Sequence, residues 1–208
     1  MILTRRAALR ATMSALGGAV VLPGRLHAAG EVTGPDPHVL THDPDQPVLG
    51  NPDGDVTLVA FFDYQCPYCR KATPELTGLV GDDGNIRLVM KDWPIFGPVS
   101  DHAVEIALGS VKLGRYSQVH AALMAIRGRL DKPTVDAVAR KAGVDPAEAM
   151  ASFRRDRDRW SGLIARNDQQ AQLLGLPGTP AYVVGLDVFL GVTPVDDLRR
   201  AVATACKG

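Results

Sequence analysis

Cysteine is scarce in this sequence of 208 residues, which contains only Cys66, Cys69 and Cys206. A framework of structural disulfides would need several spaced pairs, so that kind of fold is excluded. The two close cysteines would also add little stability, because closing so short a loop removes little entropy from the unfolded chain. The pair is therefore better suited to chemistry, while 46% hydrophobic residues suffice to build a core.

Net charge is absent as well, since 23 basic residues balance 23 acidic residues. All charges within residues 1–29 are positive, and the rest of the chain has 19 basic and 23 acidic residues, a net charge of −4. A chain that is mildly acidic outside its first residues gives no electrostatic reason to expect binding to nucleic acid or to an anionic membrane.

A long apolar run is also missing, and the weakly apolar residues 11–22 are too few and too rich in glycine for a permanent membrane-spanning helix. Arginines precede this run and small residues follow it, which is the pattern of an export signal. Residues 4–10, TRRAALR, resemble the twin-arginine export motif, with a general secretory signal as the alternative. We therefore predict that residues 1–29 are a signal peptide and that the mature chain is periplasmic or otherwise extracytoplasmic, where disulfides persist.

The remaining sequence alternates between strand-like and helical segments. Residues 30–48 are rich in proline, which predicts an extended lead-in without a helix or a coiled coil. Apolar and β-branched runs predict strands at residues 55–63, 85–92, 181–185 and 187–191. Apolar residues at helical spacing predict helices at residues 67–81, within 99–173, and from 194 onward. Residues 49–208 are therefore predicted to form an α/β domain with a helical insertion at about 99–173, after the second core strand.

The two close cysteines fall where the first of these strands gives way to a helix. Cys66 would be the N-cap and Pro67 the first helical residue, where a missing N–H costs nothing. A thiolate at the cap accepts bonds from the backbone N–H groups of Tyr68 and Cys69 and faces the positive end of the helix dipole, so its pKa falls. Cys69 points inward and keeps a higher pKa, which predicts that Cys66 forms mixed disulfides and that Cys69 resolves them.

A metal site is the competing interpretation of the same pair. A lone C-x-x-C lacks the second pair of ligands that a structural zinc site needs, and the five histidines have no ligand spacing to the cysteines. Two soft thiolates could also bind copper, but no methionine or histidine cluster accompanies them. The spacing favours a redox pair, with no metal and no cofactor.

Several segments together resemble the DsbA-like thiol:disulfide oxidoreductases of the thioredoxin superfamily. They are FFDYQCPYCRK at residues 61–71, Pro74, and GTPAYVVG beginning at Gly178. Residues 91–100, KDWPIFGPVS, are similar to a segment of the ScsC-like branch. The resemblance implies a thioredoxin fold with a helical subdomain inserted over the active site, and it assigns Thr179-Pro180 as a cis-proline segment that faces the cysteine pair.

The resemblance also implies a function, namely the exchange of disulfides with cysteine-containing extracytoplasmic proteins. Pro67, Tyr68, Thr179 and Pro180 are the implied substrate-binding residues. The expected direction is oxidation, with a membrane redox partner that recycles the pair, and the alternative is an isomerase or reductase. Relatives of that second kind can use an N-terminal oligomerising helix, for which the proline-rich lead-in leaves no room, so a monomer is expected.

One position departs from the resemblance. Relatives often carry a buried acid six residues before the first cysteine, and this sequence has Ala60 there. Asp63 is the first candidate to replace it as a proton relay, and Lys91 is another charged residue nearby in the predicted fold. Outside the site, helical spacing predicts that Cys206 is buried and that His102 and His120 face solvent.

Overall fold

The computed structural model describes residues 34–206, so the predicted signal peptide lies outside the described residues. The described chain forms a five-stranded sheet with helices against both faces. In chain order, the elements are α1 (Pro37–Thr41), β1 (Val48–Gly50), β2 (Val56–Phe62), α2 (Pro67–Asp83), β3 (Ile86–Asp92), α3 (Pro98–Gly109), α4 (Tyr116–Met124), α5 (Lys132–Lys141), α6 (Pro146–Arg155), α7 (Arg157–Leu173), β4 (Ala181–Val184), β5 (Asp187–Leu190) and α8 (Val195–Ala205).

The centre of the sheet consists of two parallel strands. The strand order is β1-β3-β2-β4-β5, and β2 pairs with β3 in parallel from Val56 opposite Ile86 to Phe62 opposite Asp92. The other strands pair antiparallel. Both central strands are almost continuously buried because helices cover both faces of the sheet. Their carboxyl ends meet at one edge, from which the segment containing the cysteine pair departs.

Alternate residues of the central strands face two separate cores. Leu58, Ala60 and Phe62 face the larger core, which includes both Cys66 and Cys69 and buried residues of helices α2 to α8. Val59 and Phe61 face the smaller core, beneath α1 and the C-terminal part of α7. Helices α3 to α7 all lie between β3 and β4 in the chain, so the predicted helical insertion after the second core strand is confirmed.

The lead-in is the main difference from the expected fold. Residues 37–41 form helix α1, and β1 starts at Val48 and pairs with β3, so the prediction of a lead-in without a helix was wrong. The Asp36 side chain caps α1 by accepting a hydrogen bond from the His38 backbone N–H at 2.8 Å. Pro37 occupies the first turn, where proline favours the start of a helix rather than preventing it.

Two predictions of exposure were also wrong. Cys206 is exposed, because α8 ends at Ala205 and the helical spacing does not extend past that residue. His120 is only 3% exposed, since its ring packs against the rings of Phe62, Tyr64 and Tyr116. No helix within residues 34–206 is both long enough and apolar enough to cross a membrane.

Candidate active site

The cysteine pair lies at the start of α2, as the sequence predicted. Cys66 is the N-cap of this helix, and its sulfur accepts a hydrogen bond from the Cys69 backbone N–H at 3.4 Å. Pro67 occupies the first helical turn, and the helix continues through Pro74 as far as Asp83. Both thiols are free and belong to buried residues. Pro67 and Tyr68 are exposed beside them, with Tyr68 60% exposed, so the first turn of α2 borders the approach to Cys66.

The segment before β4 closes the other side of the pair. Thr179-Pro180 is a cis peptide bond, as the resemblance implied. The Cys66 sulfur lies 3.3 Å from the Thr179 carbonyl oxygen, to which it donates a hydrogen bond when it is protonated. These residues are 113 positions apart in the chain, and they meet because β4 pairs with β2.

The two sulfurs differ strongly in acidity. The pKa of Cys66 is lowered to about 6, chiefly because the Cys69 thiol donates a hydrogen bond to the Cys66 thiolate. The Thr179 side chain and the backbone N–H groups of Cys69 and Tyr68 lower it further, against the opposing effect of burial. The pKa of Cys69 is raised, first by that same hydrogen bond and then by burial. Cys66 is therefore the thiolate at neutral pH, and Cys69 keeps its proton.

Asp63 lies under the loop that leads to Cys66 and is fully buried. Its Oδ1 accepts hydrogen bonds from the Gln65 backbone N–H and the Ser100 hydroxyl, both at 2.7 Å. Its Oδ2 accepts from the backbone N–H groups of Ile95 at 2.8 Å and Phe96 at 3.2 Å. This carboxylate thus ties the active-site loop to the segment between β3 and α3. A role as proton relay stays a prediction.

The structure places the other charged candidate away from the pair. Lys91 is fully buried, but it lies between Val89 and Trp93 in the alternation of β3 and faces the smaller core. Burial lowers its pKa to about 8, and Asp43 is the acid that acts on it most strongly. Ala60 faces the larger core, opposite Met90 and Tyr182 on the neighbouring strands. Lys91 and the cysteines therefore lie on opposite faces of the sheet.

A buried polar cluster next to the site was missed by sequence reasoning. Tyr116 donates a hydrogen bond to Asp92 Oδ2 at 2.9 Å, and the Tyr64 hydroxyl lies 3.2 Å from His120 Nδ1. Asp92 ends β3, Tyr64 lies two residues before Cys66, and the other two belong to α4, so the cluster joins the active-site loop to the helical insertion. Parallel pairing of the two predicted central strands could have indicated part of this cluster. That pairing places Asp92 beside Phe62, at the edge of the sheet from which the cysteine pair departs.

The Asp92 carboxyl should make the stability of the protein depend on pH. Burial raises its pKa from 3.8 to about 7, with Asp63 adding to the shift and the Tyr116 and Tyr64 hydroxyls opposing it. A raised pKa means that the folded state binds the proton more tightly, so this contribution is complete below about pH 4 and is lost as the pH rises through about 7. Between pH 4 and pH 7, the protein should lose about 4 kcal/mol of its free energy of unfolding through this one group.

Asp92→Asn is expected to remove the loss of stability that the Asp92 carboxyl causes as the pH rises. The free energy of unfolding of the variant, relative to the unsubstituted protein, should increase by up to about 4 kcal/mol between pH 4 and pH 8 in urea titrations. Asp55→Asn, at an exposed position, is the control for the loss of one carboxylate. A difference between Asp92→Asn and the unsubstituted protein that stays constant with pH would contradict the prediction.

No group of three or more histidine, cysteine, aspartate or glutamate side chains within residues 34–206 is placed to hold a metal ion. The arrangement instead pairs a stabilised thiolate with a protonated thiol at a helix N-terminus, beside a cis-proline segment. Such a pair can form a mixed disulfide at one sulfur and resolve it with the other. The fold and this site define the class of thioredoxin-like thiol:disulfide oxidoreductases.

Comparison with protein families agrees with that class. The family model described as Thioredoxin matches residues 42–204, and the chain belongs to this family. A thioredoxin-like oxidoreductase from Silicibacter pomeroyi DSS-3 is 41% identical, with a TM-score of 0.79 over 83% of this chain and 99% of that one. The thiol-disulfide exchange protein α-DsbA2 from Wolbachia pipientis is 27% identical, with a TM-score of 0.75 over 80% and 90% of the two chains.

Two further structures share the fold. A periplasmic thioredoxin-like protein from Salmonella enterica serovar Typhimurium is 29% identical, with a TM-score of 0.70 over 82% of this chain and 95% of that one. The catalytic domain of Proteus mirabilis ScsC is 24% identical, with a TM-score of 0.73 over 82% and 94% of the two chains, a likeness of fold alone. The expected resemblance to DsbA-like proteins is thus confirmed, and the ScsC catalytic domain shares the fold.

Curated proteins that match the chain are Na⁺/H⁺ antiporters. NhaA 1 of Salinispora arenicola is 30% identical over 169 residues, which are 80% of this chain. The chain spans about a quarter of the length of these relatives, 26% in this case.

Proposed function

We propose that the chain exchanges disulfides with cysteine-containing proteins outside the cytoplasm and acts on them as an oxidase. The observation that carries the proposal is the opposite displacement of the two pKa values, down to about 6 for Cys66 and upward for Cys69. A well-stabilised Cys66 thiolate favours the reduced form of the pair, so the oxidised form readily accepts electrons from substrates.

The reaction proceeds in two exchanges. A substrate thiolate attacks the Cys66 sulfur of the Cys66–Cys69 disulfide, which forms a mixed disulfide and releases Cys69, where the sulfur takes up a proton. A second substrate thiolate then attacks the substrate sulfur of the mixed disulfide and releases Cys66 as a thiolate. The substrate gives up two electrons and forms one disulfide, and the enzyme pair gains those two electrons.

Substrate binding is proposed at four residues around Cys66. An extended substrate segment can pair with the backbone of Thr179 by strand addition, with Pro180 beside it. Pro67 and Tyr68 provide the exposed surface on the helix side of the sulfur. Tyr68 adds no positive charge where some relatives have histidine, so a milder oxidant than those relatives is expected.

Location and partners complete the proposal. The predicted signal in residues 1–29 and the likeness to a periplasmic protein of Salmonella support action outside the cytoplasm. An oxidase needs an electron acceptor after each turnover, which we propose is a membrane redox partner. The chain is proposed to act as a monomer.

The reduction potential of Cys66–Cys69 tests the direction of electron flow. We expect a value between about −180 and −120 mV, in the range of oxidising and isomerising members of this class, together with a Cys66 pKa of about 6. Equilibration with glutathione buffers gives the potential, and thiolate absorbance against pH gives the pKa. A potential near −270 mV with a Cys66 pKa above about 8 would instead identify a reductase.

A further inference from the structure

A pocket of about 600 Å³ lies beside the reactive cysteine, between α2 and the turn that follows α4. Its α2 wall runs from Pro67, which is bonded directly to Cys66, to Pro74. Residues 124–128 form the other wall. The α2 wall covers about two helical turns, or roughly 10 Å, which an extended peptide covers in about three residues. The pocket therefore has the length to receive the chain next to a substrate cysteine.

The pocket is positively charged. Arg70, Lys71 and Arg127 line it, and no acidic residue does. Glu75 and Asp131, the nearest acids in sequence on the C-terminal side, lie outside the lining. None of the ion pairs among residues 34–206 involves these three cations. The described residues thus leave all three positive charges without a carboxylate partner.

Arg70 is held in place within this pocket. One guanidinium nitrogen, Nη1, donates to the carbonyl oxygens of Gly128 at 2.8 Å and Ile126 at 3.2 Å. Its Nε is buried without a hydrogen-bond partner among the described residues. The carbonyl groups fix the guanidinium and join the two walls, but they do not neutralise its charge. A charge held in this way loses little conformational entropy when it meets an anion.

Lys71 and Arg127 differ from Arg70 in being exposed. Neither side chain donates a hydrogen bond within residues 34–206, so both are available to a ligand. A fixed cation flanked by two adaptable ones matches a short acidic segment better than a single carboxylate. Positive charges beside a thiolate site also attract acidic partners from a distance and accelerate their encounter.

We infer that this basic pocket selects substrates with acidic residues within about three positions of the cysteine that attacks Cys66. The inference rests on the proposed function, since it names the class of protein segment that the same site oxidises. The pocket binds the flanking acidic side chains, while the cysteine itself engages the Cys66–Cys69 disulfide. Specificity then comes from charge next to the cysteine rather than from the cysteine alone.

The test uses the oxidised protein and reduced dithiol peptides that differ only in three residues flanking the first cysteine. These residues are acidic, neutral or basic, and they are placed first on one side of the cysteine and then on the other. Flanking charges also change the intrinsic reactivity of a thiol. The rate at which the protein oxidises each peptide is therefore divided by the rate at which the same peptide reacts with a small neutral disulfide compound. We expect the acidic peptide to react roughly tenfold faster than the neutral one in one of the two placements.

The variant Lys71→Glu/Arg127→Glu should abolish or reverse that preference. Arg154→Glu/Arg155→Glu is the control variant, because it changes the net charge by the same amount at exposed positions of α6. It should retain the preference for the acidic peptide. In the unsubstituted protein, about 0.5 M salt should reduce the preference, because exposed charges are then screened. Equal rates for all peptides, or a preference that survives the pocket variant, would overturn the inference. Failure to oxidise any peptide would instead refute the proposed function.

Discussion

Cys66→Ser is expected to abolish disulfide exchange, with a loss of about a thousandfold or more in the rate of peptide oxidation. Serine cannot form the mixed disulfide. Cys69 is not expected to substitute for the missing thiol, because burial alone still raises its pKa and the exposed Pro67 and Tyr68 lie beside Cys66. The measurement is the oxidation of a dithiol peptide by the protein in a glutathione buffer. Cys206→Ser is the matched control, because Cys206 is exposed and lies at the end of α8, and it should leave the rate unchanged.

Cys69→Ser is expected to give a different result from Cys66→Ser. The Cys66 thiolate still attacks a substrate disulfide, but no second thiol is present to resolve the product. A mixed disulfide between Cys66 and the substrate should therefore accumulate and be detectable by mass spectrometry. The serine hydroxyl can still donate a hydrogen bond to the thiolate, whereas Cys69→Ala should raise the pKa of Cys66, since the Cys69 thiol is the largest cause of its depression. Equal trapping by Cys66→Ser and Cys69→Ser would contradict the assigned roles.

Asp63→Ala is expected to destabilise the protein by about 3–5 kcal/mol. The carboxylate accepts hydrogen bonds from three backbone N–H groups and the Ser100 hydroxyl, and alanine leaves these donors without it in a buried region. Denaturant unfolding of the reduced protein gives the free energy. Asp55→Ala removes an exposed carboxylate from the residue just before β2 and should cost far less.

The same substitution distinguishes an anchoring role of Asp63 from a role as proton relay. A relay predicts that Asp63→Ala slows the attack of Cys69 on a mixed disulfide while stability changes little. The anchoring role that the hydrogen bonds indicate predicts the opposite result. Asp63→Ala should then lose much of its stability, while the rate at which Cys69 attacks a mixed disulfide should change less, at temperatures where the variant is folded. A loss of stability below about 1 kcal/mol would contradict the anchoring role.

Local sequence was sufficient for the parts of the site that depend on neighbouring residues. The N-cap position of Cys66, the helical turn at Pro67 and the hydrogen bond from the Cys69 thiol, which is the main cause of the unequal acidity, all arise within four residues of one another. The two central strands were equally clear, because their apolar runs reflect burial on both faces. The lead-in was less predictable, since Pro37 can begin a helix as well as extend a chain, and the Asp36 cap decides between them.

The chemistry of this protein, a helix-capping thiolate with a resolving thiol, could be predicted from the sequence alone, because the Cys69 thiol that chiefly lowers the pKa of Cys66 lies three residues away in the chain. Only the tertiary structure decided what surrounds the pair. It brought Thr179 to Cys66 through the pairing of β2 with β4, and it buried Asp63 among donors more than 30 residues away in the chain. It also buried His120 and grouped three cations beside Pro67. These contacts join distant segments, and the spacing of residues along one element does not specify which element packs against it.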